Sequence, residues 1–144
     1  MKHIGKVAEY LVLAELIQRD VEAYSAISFR QPSYDITVIR PDLSVARVQV
    51  KGTELQNKST NNPITNLEKE FDYLVIVVFV GETPQYYILT KREATQAYGN
   101  KLGTIYISQM VDRVWQVKPE ISWHKDRWEK IIGQCAAPDP KWSV

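Results

Sequence analysis

The sequence predicts an α/β or α+β domain in which helices pack against a central mixed sheet. Three observations predict this class: apolar residues at helical spacing near the start, β-rich segments in the first half, and the continuous apolar run Tyr73–Val80. Such a run is typical of a central strand that is covered on both faces. Because 144 residues are enough for one core and too few for two, we expect a single domain spanning residues 1–144.

The first half of the chain shows the pattern of a helix followed by three strands. Apolar residues repeat at helical spacing from Ile4 onward, which predicts a helix over residues 2–19. We expect three strands to follow, over residues 21–28, 34–40 and 45–51. In the third strand Arg47, Gln49 and Lys51 alternate with apolar residues, so these three side chains share one face.

The second half of the chain predicts a long loop and then shorter elements. Residues 52–66 are polar and rich in asparagine, which is typical of a loop. The remaining pattern predicts a short helix over residues 67–71, strands over 73–80, 85–89 and 104–107, and helices over 91–98 and 123–132. The resulting order is a helix, three strands, a helix and a strand, followed by mixed elements.

Composition and charge exclude several classes of protein. Apolar residues make up 44% of the chain and the net charge is +1, so neither a disordered chain nor a strongly basic nucleic-acid coat protein is expected. No apolar run approaches the length of a membrane span, and we expect no membrane partner. The lone Cys135 and the absence of a secretory pattern predict a cytoplasmic protein without disulfides.

The candidate site lies where the predicted second and third strands meet. A hairpin between these strands brings Asp35 near Gln49, and Lys51 points the same way as Gln49. Glu9 offers a second carboxylate from the first helix. Carboxylate and amide oxygens, together with the carbonyl of Val50, are hard ligands of the kind that Mg²⁺ prefers. A nearby lysine suits metal-assisted phosphodiester hydrolysis, because it can orient the attacking water and offset transition-state charge.

At these positions the chain resembles the PD-(D/E)XK nuclease superfamily. The resemblance covers about the first 90 residues and is carried by Gly5-Lys6-Val7-Ala8-Glu9, Pro32-Ser33-Tyr34-Asp35 and Gln49-Val50-Lys51. Within the superfamily it is closest to the branch that contains a cyanobacterial group I intron homing endonuclease. The sequence departs from the pattern in two ways. Two residues separate the proline from the acid, and Gln49 stands where Asp or Glu is usual.

The resemblance implies a fold and an activity. The fold is a restriction-endonuclease-like core, αβββαβ, with a central mixed sheet flanked by helices. The activity is that of a Mg²⁺- or Mn²⁺-dependent endodeoxyribonuclease that acts on double-stranded DNA as a homodimer or homotetramer. The resemblance implies four catalytic residues, Glu9, Asp35, Gln49 and Lys51. It implies as metal ligands Glu9, Asp35, Gln49 and Val50. A site-specific homing endonuclease is the first expectation within this class.

Three alternatives remain at this point. A junction-resolving or restriction nuclease shares the same fold and chemistry. Because the Gln49 amide carries no charge, a catalytically weak or inactive nucleic-acid-binding module is a second alternative. A domain with no nucleic-acid role is the third.

Several polar residues are candidates for contacts with DNA. Asparagine, lysine and hydroxyl side chains suit base edges and phosphates, although the same composition is found in any polar loop. The candidates are Lys6, Thr53, Asn57, Lys58, Ser59, Thr60, Asn61 and Lys91.

Overall fold

The computed structural model describes residues 1–26, 34–55 and 62–135, with side chains to residue 133. Its elements, in chain order, are α1 (Ile4–Gln18), β1 (Glu22–Ser25), β2 (Ile36–Ile39), β3 (Val45–Glu54), β4 (Pro63–Ile64), β5 (Tyr73–Val80), β6 (Thr83–Thr90), α2 (Lys91–Gln96), β7 (Ile105–Tyr106), β8 (Ser108–Val111), β9 (Val114–Val117), α3 (Pro119–Ser122) and α4 (Glu129–Cys135). No helix in this part of the chain is both long enough and apolar enough to cross a membrane.

The central sheet is mixed, as the sequence predicts. Its strand order is β1-β2-β3-β5-β6, with β3 and β5 parallel and the other neighbours antiparallel. Strand β3 pairs with β5 from Val48 to Glu54, so it is hydrogen-bonded on one side along most of its length. This places the strand that carries Gln49 and Lys51 in the middle of the sheet.

The sheet is covered on both faces by apolar clusters. On one face Ala8, Val12 and Leu16 of α1 are fully buried against β3 and its neighbours. On the other face a second cluster collects residues from β4, β7, α2 and α3. Strand β5 supplies residues alternately to the two clusters, as in Val75 and Leu74. The prediction of a central strand covered on both faces is therefore confirmed.

Close packing between α1 and β3 depends on Gly52. A Cβ atom at this position would lie 3.0 Å from the Cβ of Ala8 and 3.3 Å from Cγ1 of Ile4. Only glycine therefore lets the helix approach this near without displacing it. The approach brings the first helix, and with it Glu9, against the strand that carries Lys51.

The predicted helix over residues 67–71 is wrong. Asn66 has a left-handed backbone (φ 60°), and the amide of Leu67 donates to the carbonyl of Gly103 instead of starting a helix. Leu67 and Phe71 are both buried, but they anchor an irregular segment. In the described part of the chain, the connection between β3 and β5 therefore contains no helix, unlike the αβββαβ order expected from the resemblance.

Other elements also differ from the sequence prediction. Strand β3 continues to Glu54, and Pro63–Ile64 forms β4, so residues 52–66 are not simply a loop. The last helix begins at Glu129 and not at residue 123, because Lys125 bridges to Tyr87 at the edge of β6. The β8–β9 hairpin was not predicted.

Candidate active site

A pocket of about 230 Å³ lies between α1 and the segment that leads into β2. Two carboxylates reach it, Glu9 from α1 and Asp35 from the residue directly before β2. The other lining residues are Lys6, Tyr10, Ser25, Ala26 and Tyr34. The structure thus brings together the two acids that the sequence analysis selected from distant parts of the chain.

Asp35 is fixed by hydrogen bonds from both its main chain and its side chain. Its amide donates to the carbonyl of Val48 at 2.8 Å, and its carbonyl accepts from the amide of Ala26 at 2.9 Å. Its Oδ2 accepts from the amide of Val50 at 2.8 Å and from Nε2 of Gln49 at 3.0 Å. The pairing of β2 with β3 begins at Ile36, which lies opposite Val48. The amide of Val50 lies beyond this pair, so the Asp35 carboxylate serves as its acceptor.

The environment of Asp35 disfavours its charge. Burial and a side-chain hydrogen bond with Glu9 raise the pKa of Asp35 from 3.8 to about 6, while the Val50 amide and the Lys51 ammonium act in the opposite direction. Two carboxyl groups that face each other in a partly buried site repel when both are ionised. Ionisation of both acids in the pocket is therefore unfavourable unless Asp35 is protonated or a cation lies between them.

Gln49 presents a side-chain acceptor for which the described residues supply no donor. The side chain is buried, with 5% of its surface exposed, and Nε2 is held by Asp35 and more weakly by the carbonyl of Val50 at 3.4 Å. In the described part of the chain, Oε1 is buried without a hydrogen-bond partner. A buried acceptor without a partner is costly unless something else satisfies it, and a cation is one such group.

Lys51 lies two residues further along the same face of β3. It is half-buried, and burial together with the nearby Lys69 charge lowers the pKa of its ammonium, whereas Asp35 raises it. Its strand partner in the parallel register is Ile76 of β5. The lysine is therefore close enough to Asp35 for their charges to interact, and it is held on a rigid central strand.

The donor set fits a hard divalent cation. Across residues 1–26, 34–55 and 62–135 there is no cluster of three or more His, Cys, Asp or Glu residues. A cation in this pocket would therefore have at most two carboxylate ligands from the described residues, Glu9 and Asp35. The Oε1 atom of Gln49, which has no hydrogen-bond partner within the described residues, would offer a third oxygen beside Asp35, and Mg²⁺ completes its shell with water when protein ligands are few.

Two of the predicted DNA-contact residues have well-defined neighbours near the site. Lys6 is largely exposed and pairs with Glu9, with 3.1 Å between Nζ and Oε2, and this contact raises the pKa of Lys6. Thr53 accepts a hydrogen bond from Nδ2 of Asn62 at 3.1 Å, which ties the end of β3 to the start of β4. Asn57, Lys58, Ser59, Thr60 and Asn61 lie outside the described residues.

Lys91 is engaged within the protein. Its ammonium donates to the carbonyls of Leu67 and Lys69 and lies 3.8 Å from the centre of the Phe71 ring. These contacts hold the segment over residues 67–71, where a helix was predicted. Lys91 therefore contacts this segment and not Asp35. The structure assigns this lysine a packing role, and its predicted phosphate contact stays a prediction.

Sequence reasoning missed several residues around the site. Tyr10 and Tyr34 line the pocket, although neither stood out from other tyrosines by its spacing. Lys69 influences Lys51 from a segment that was expected to be helical. Asn62 was included only as part of a polar loop, and nothing in the sequence separates it from its asparagine neighbours.

Comparison with known proteins finds a solved structure with a similar fold. No family model matches the chain, and no curated protein sequence matches it. The solved structure of a bacterial homing endonuclease, I-Ssp6803I, superposes with a TM-score of 0.65, covering 92% of this chain and 93% of that chain at 20% sequence identity. The mixed α+β fold, with five central strands flanked by helices, therefore matches that of a homing endonuclease. This confirms the predicted fold class.

Proposed function

We propose that the chain is a DNA endonuclease that depends on a divalent metal ion. The observation that carries the proposal is the proximity to Asp35 of a second carboxyl, of a buried amide oxygen with no partner among the described residues, and of a half-buried lysine. The fold is shared with a homing endonuclease. Neither observation alone is specific, but their coincidence at the residues of the nuclease motif supports this chemistry.

Asp35, Glu9 and Gln49 are the proposed holders of the metal ion, either Mg²⁺ or Mn²⁺, with the carbonyl of Val50 as a further oxygen donor. When bound, such an ion polarises a phosphate and lowers the pKa of a water molecule. A cation held by these residues would also offset the repulsion between the two acids and would give Oε1 of Gln49 a partner. The hydrogen bonds from the Val50 amide and from Nε2 of Gln49 keep the Asp35 carboxylate in position.

Lys51 is the proposed partner of the attacking water and of the scissile phosphate. Because its ammonium is half-buried and close to a second lysine, it loses its proton more readily than an exposed lysine does. In its charged form it offsets the negative charge that builds up on the phosphate. Lys6, at the exposed rim of the pocket, is placed to meet an adjacent phosphate once it leaves Glu9.

Double-stranded DNA is the proposed substrate, and a homo-oligomer is the proposed active form. One site of this kind cuts one strand, so cleavage of both strands calls for two copies arranged symmetrically. A homodimer or homotetramer meets this need. Site-specific cleavage of the homing type is the finer proposal, and a restriction or junction-resolving role is its alternative within the class.

The test is cleavage of supercoiled plasmid by the purified full chain in the presence of Mg²⁺, Mn²⁺ or EDTA. We expect nicking or linearisation with either ion and none with EDTA. Lys51→Met should lower the rate by roughly 10²- to 10⁴-fold, whereas Lys101→Met, at an exposed lysine in another loop, should leave it unchanged. Equal cutting by the two variants would assign the activity to a contaminant or to another site.

One observation favours a second candidate, a DNA-binding module that does not cleave. Gln49 provides an uncharged ligand where the nuclease motif has an acid, and this weakens ion binding. Tight, salt-sensitive DNA binding with no cleavage across Mg²⁺, Mn²⁺ and Ca²⁺ would support this candidate. Restoration of cleavage by Gln49→Glu in the same assay would show that the amide is the cause.

A further inference from the structure

The β8–β9 hairpin is a two-stranded ribbon with one face on the core and one face open. Trp115 and Val117 pack against the second apolar cluster. Alternation along the strands then turns the opposite face outward. That face carries two directly paired glutamines with two valines beside them: Gln109, Gln116, Val111 and Val114. Both glutamines are exposed, and neither has a side-chain hydrogen bond within the described residues.

We propose that this outward face reads A·T base pairs in the major groove of duplex DNA. The inference rests on the proposed function, since it names how the same protein selects its substrate. The major groove is wide enough to admit a two-stranded β-ribbon. There a glutamine amide pairs with N6 and N7 of adenine, while apolar side chains contact the methyl group of thymine. A face made of two amides and two valines matches that pattern.

Charge at the ribbon agrees with a DNA partner. Arg113 is exposed at the tip, and Lys118 follows the end of β9. Asp112 is the one acid between Ser108 and Lys118. Asp112 and Arg113 both have left-handed backbones (φ 50° and 65°), as a tight two-residue hairpin turn requires. The turn therefore presents the Arg113 guanidinium at the extremity of the ribbon, where a phosphate can reach it.

The ribbon is rigidly tied to the strand that carries the site. Asn62 is buried, and its Nδ2 donates to Oγ1 of Thr53 at 3.1 Å and to the carbonyl of Glu54 at 2.6 Å. Its Oδ1 accepts from Oγ of Ser108 at 2.6 Å, and its carbonyl accepts from the amide of Ile107 at 3.3 Å. One side chain thus joins the end of β3 to the base of the ribbon.

The test selects bound DNA from a random-sequence duplex library, using the full chain with Ca²⁺ in place of Mg²⁺. We expect the wild type to enrich a short A·T cluster. Gln109→Ala/Gln116→Ala should lose that cluster, with affinity for the selected site falling by roughly 5- to 150-fold for each glutamine. Gln18→Ala, at an exposed glutamine on the opposite side of the sheet, serves as the matched control.

A second variant separates base reading from attraction to phosphate. Arg113→Gln should reduce the slope of affinity against salt concentration by about one and leave the sequence preference in place. All these positions are exposed, so we expect unchanged thermal unfolding midpoints. An unchanged base preference in the double glutamine variant would overturn the proposal. The proposal would also be overturned if the double glutamine variant changed its oligomeric state and kept its base preference. That result would show that this face is a contact between copies of the chain.

Cleavage of the same library in Mg²⁺ distinguishes the two proposals. Sequence-selective binding without cleavage would refute the nuclease and leave the ribbon assignment standing. Cleavage with identical preferences in the wild type and the double variant would refute the ribbon and leave the nuclease standing. Failure to bind duplex DNA in any of these ions would overturn both.

Discussion

Asp35→Asn should stabilise the folded protein at neutral pH while abolishing cleavage. An asparagine oxygen at this position still accepts from the amide of Val50 and from Nε2 of Gln49, so the main hydrogen bonds of Asp35 survive. The asparagine amide group in turn donates to Glu9. What the substitution removes is a partly buried charge that faces another carboxylate.

The size of the effect follows from the pKa of Asp35. It rises from 3.8 to about 6 on folding, so between these values the folded protein binds more protons than the unfolded chain. Stability therefore falls as the pH rises through that window, and the penalty is complete above it. About two pKa units correspond to about 3 kcal/mol. Partial contact with solvent reduces this to about 2 kcal/mol.

The assay is urea unfolding of wild type and Asp35→Asn at pH 4 and pH 8, each with EDTA. We expect the unfolding free energy of the variant to exceed that of the wild type by about 2 kcal/mol at pH 8 and to match it closely at pH 4. Adding Mg²⁺ at pH 8 should then stabilise the wild type, by about 2.7 kcal/mol at a hundredfold excess over the dissociation constant. It should have little effect on the variant.

Two results would refute this reasoning. A variant less stable than the wild type at pH 8 in EDTA would mean that the Asp35 charge is favourable in the folded state. Equal stabilisation of both proteins by Mg²⁺ would mean that the ion binds elsewhere. Either result would remove the basis for assigning a cation to the pocket.

Three further substitutions test other parts of the site. Gln49→Glu should destabilise the ion-free protein by about 1–3 kcal/mol, because it replaces a donor to Asp35 with a third acid. Adding Mg²⁺ should restore the lost stability, as measured by thermal unfolding. Lys51→Met should not lower the unfolding free energy in urea, because the ammonium is half-buried and methionine has no charge to desolvate. Lys91→Met should cost about 1–3 kcal/mol in the same assay by leaving the carbonyls of Leu67 and Lys69 without their donor, and an unchanged stability would contradict the packing role.

The sequence predicted elements where local pattern and burial agree. The helix over residues 2–19 was correct because its apolar residues repeat at helical spacing. The strand at Tyr73–Val80 was correct because a continuous apolar run of this length suits a strand covered on both faces. The pairing of Asp35 with Gln49 followed from a hairpin between neighbouring strands. These features depend on contacts between segments close in the chain or on a single continuous pattern.

Errors arose where distant contacts override local preference. The segment at residues 67–71 has apolar residues at helical spacing, but its carbonyls are taken by Lys91 and its first amide by Gly103. The acceptor left unsatisfied at Gln49 depends on which neighbours fill the site, and no spacing rule gives that. The ribbon was missed because its short strands mix polar and apolar residues on a face that does not pack.

Because the Val50 amide donates to the Asp35 carboxylate, one main-chain proton reports on the charge state of the pocket. Most strand amides in this sheet donate to carbonyls, whose charge does not change with pH. The Val50 proton donates to a titrating group, so its chemical shift and its exchange with solvent follow ionisation or cation capture at that carboxylate. A single resonance in an NMR spectrum therefore reports the state of the pocket in the resting protein, with no substrate added.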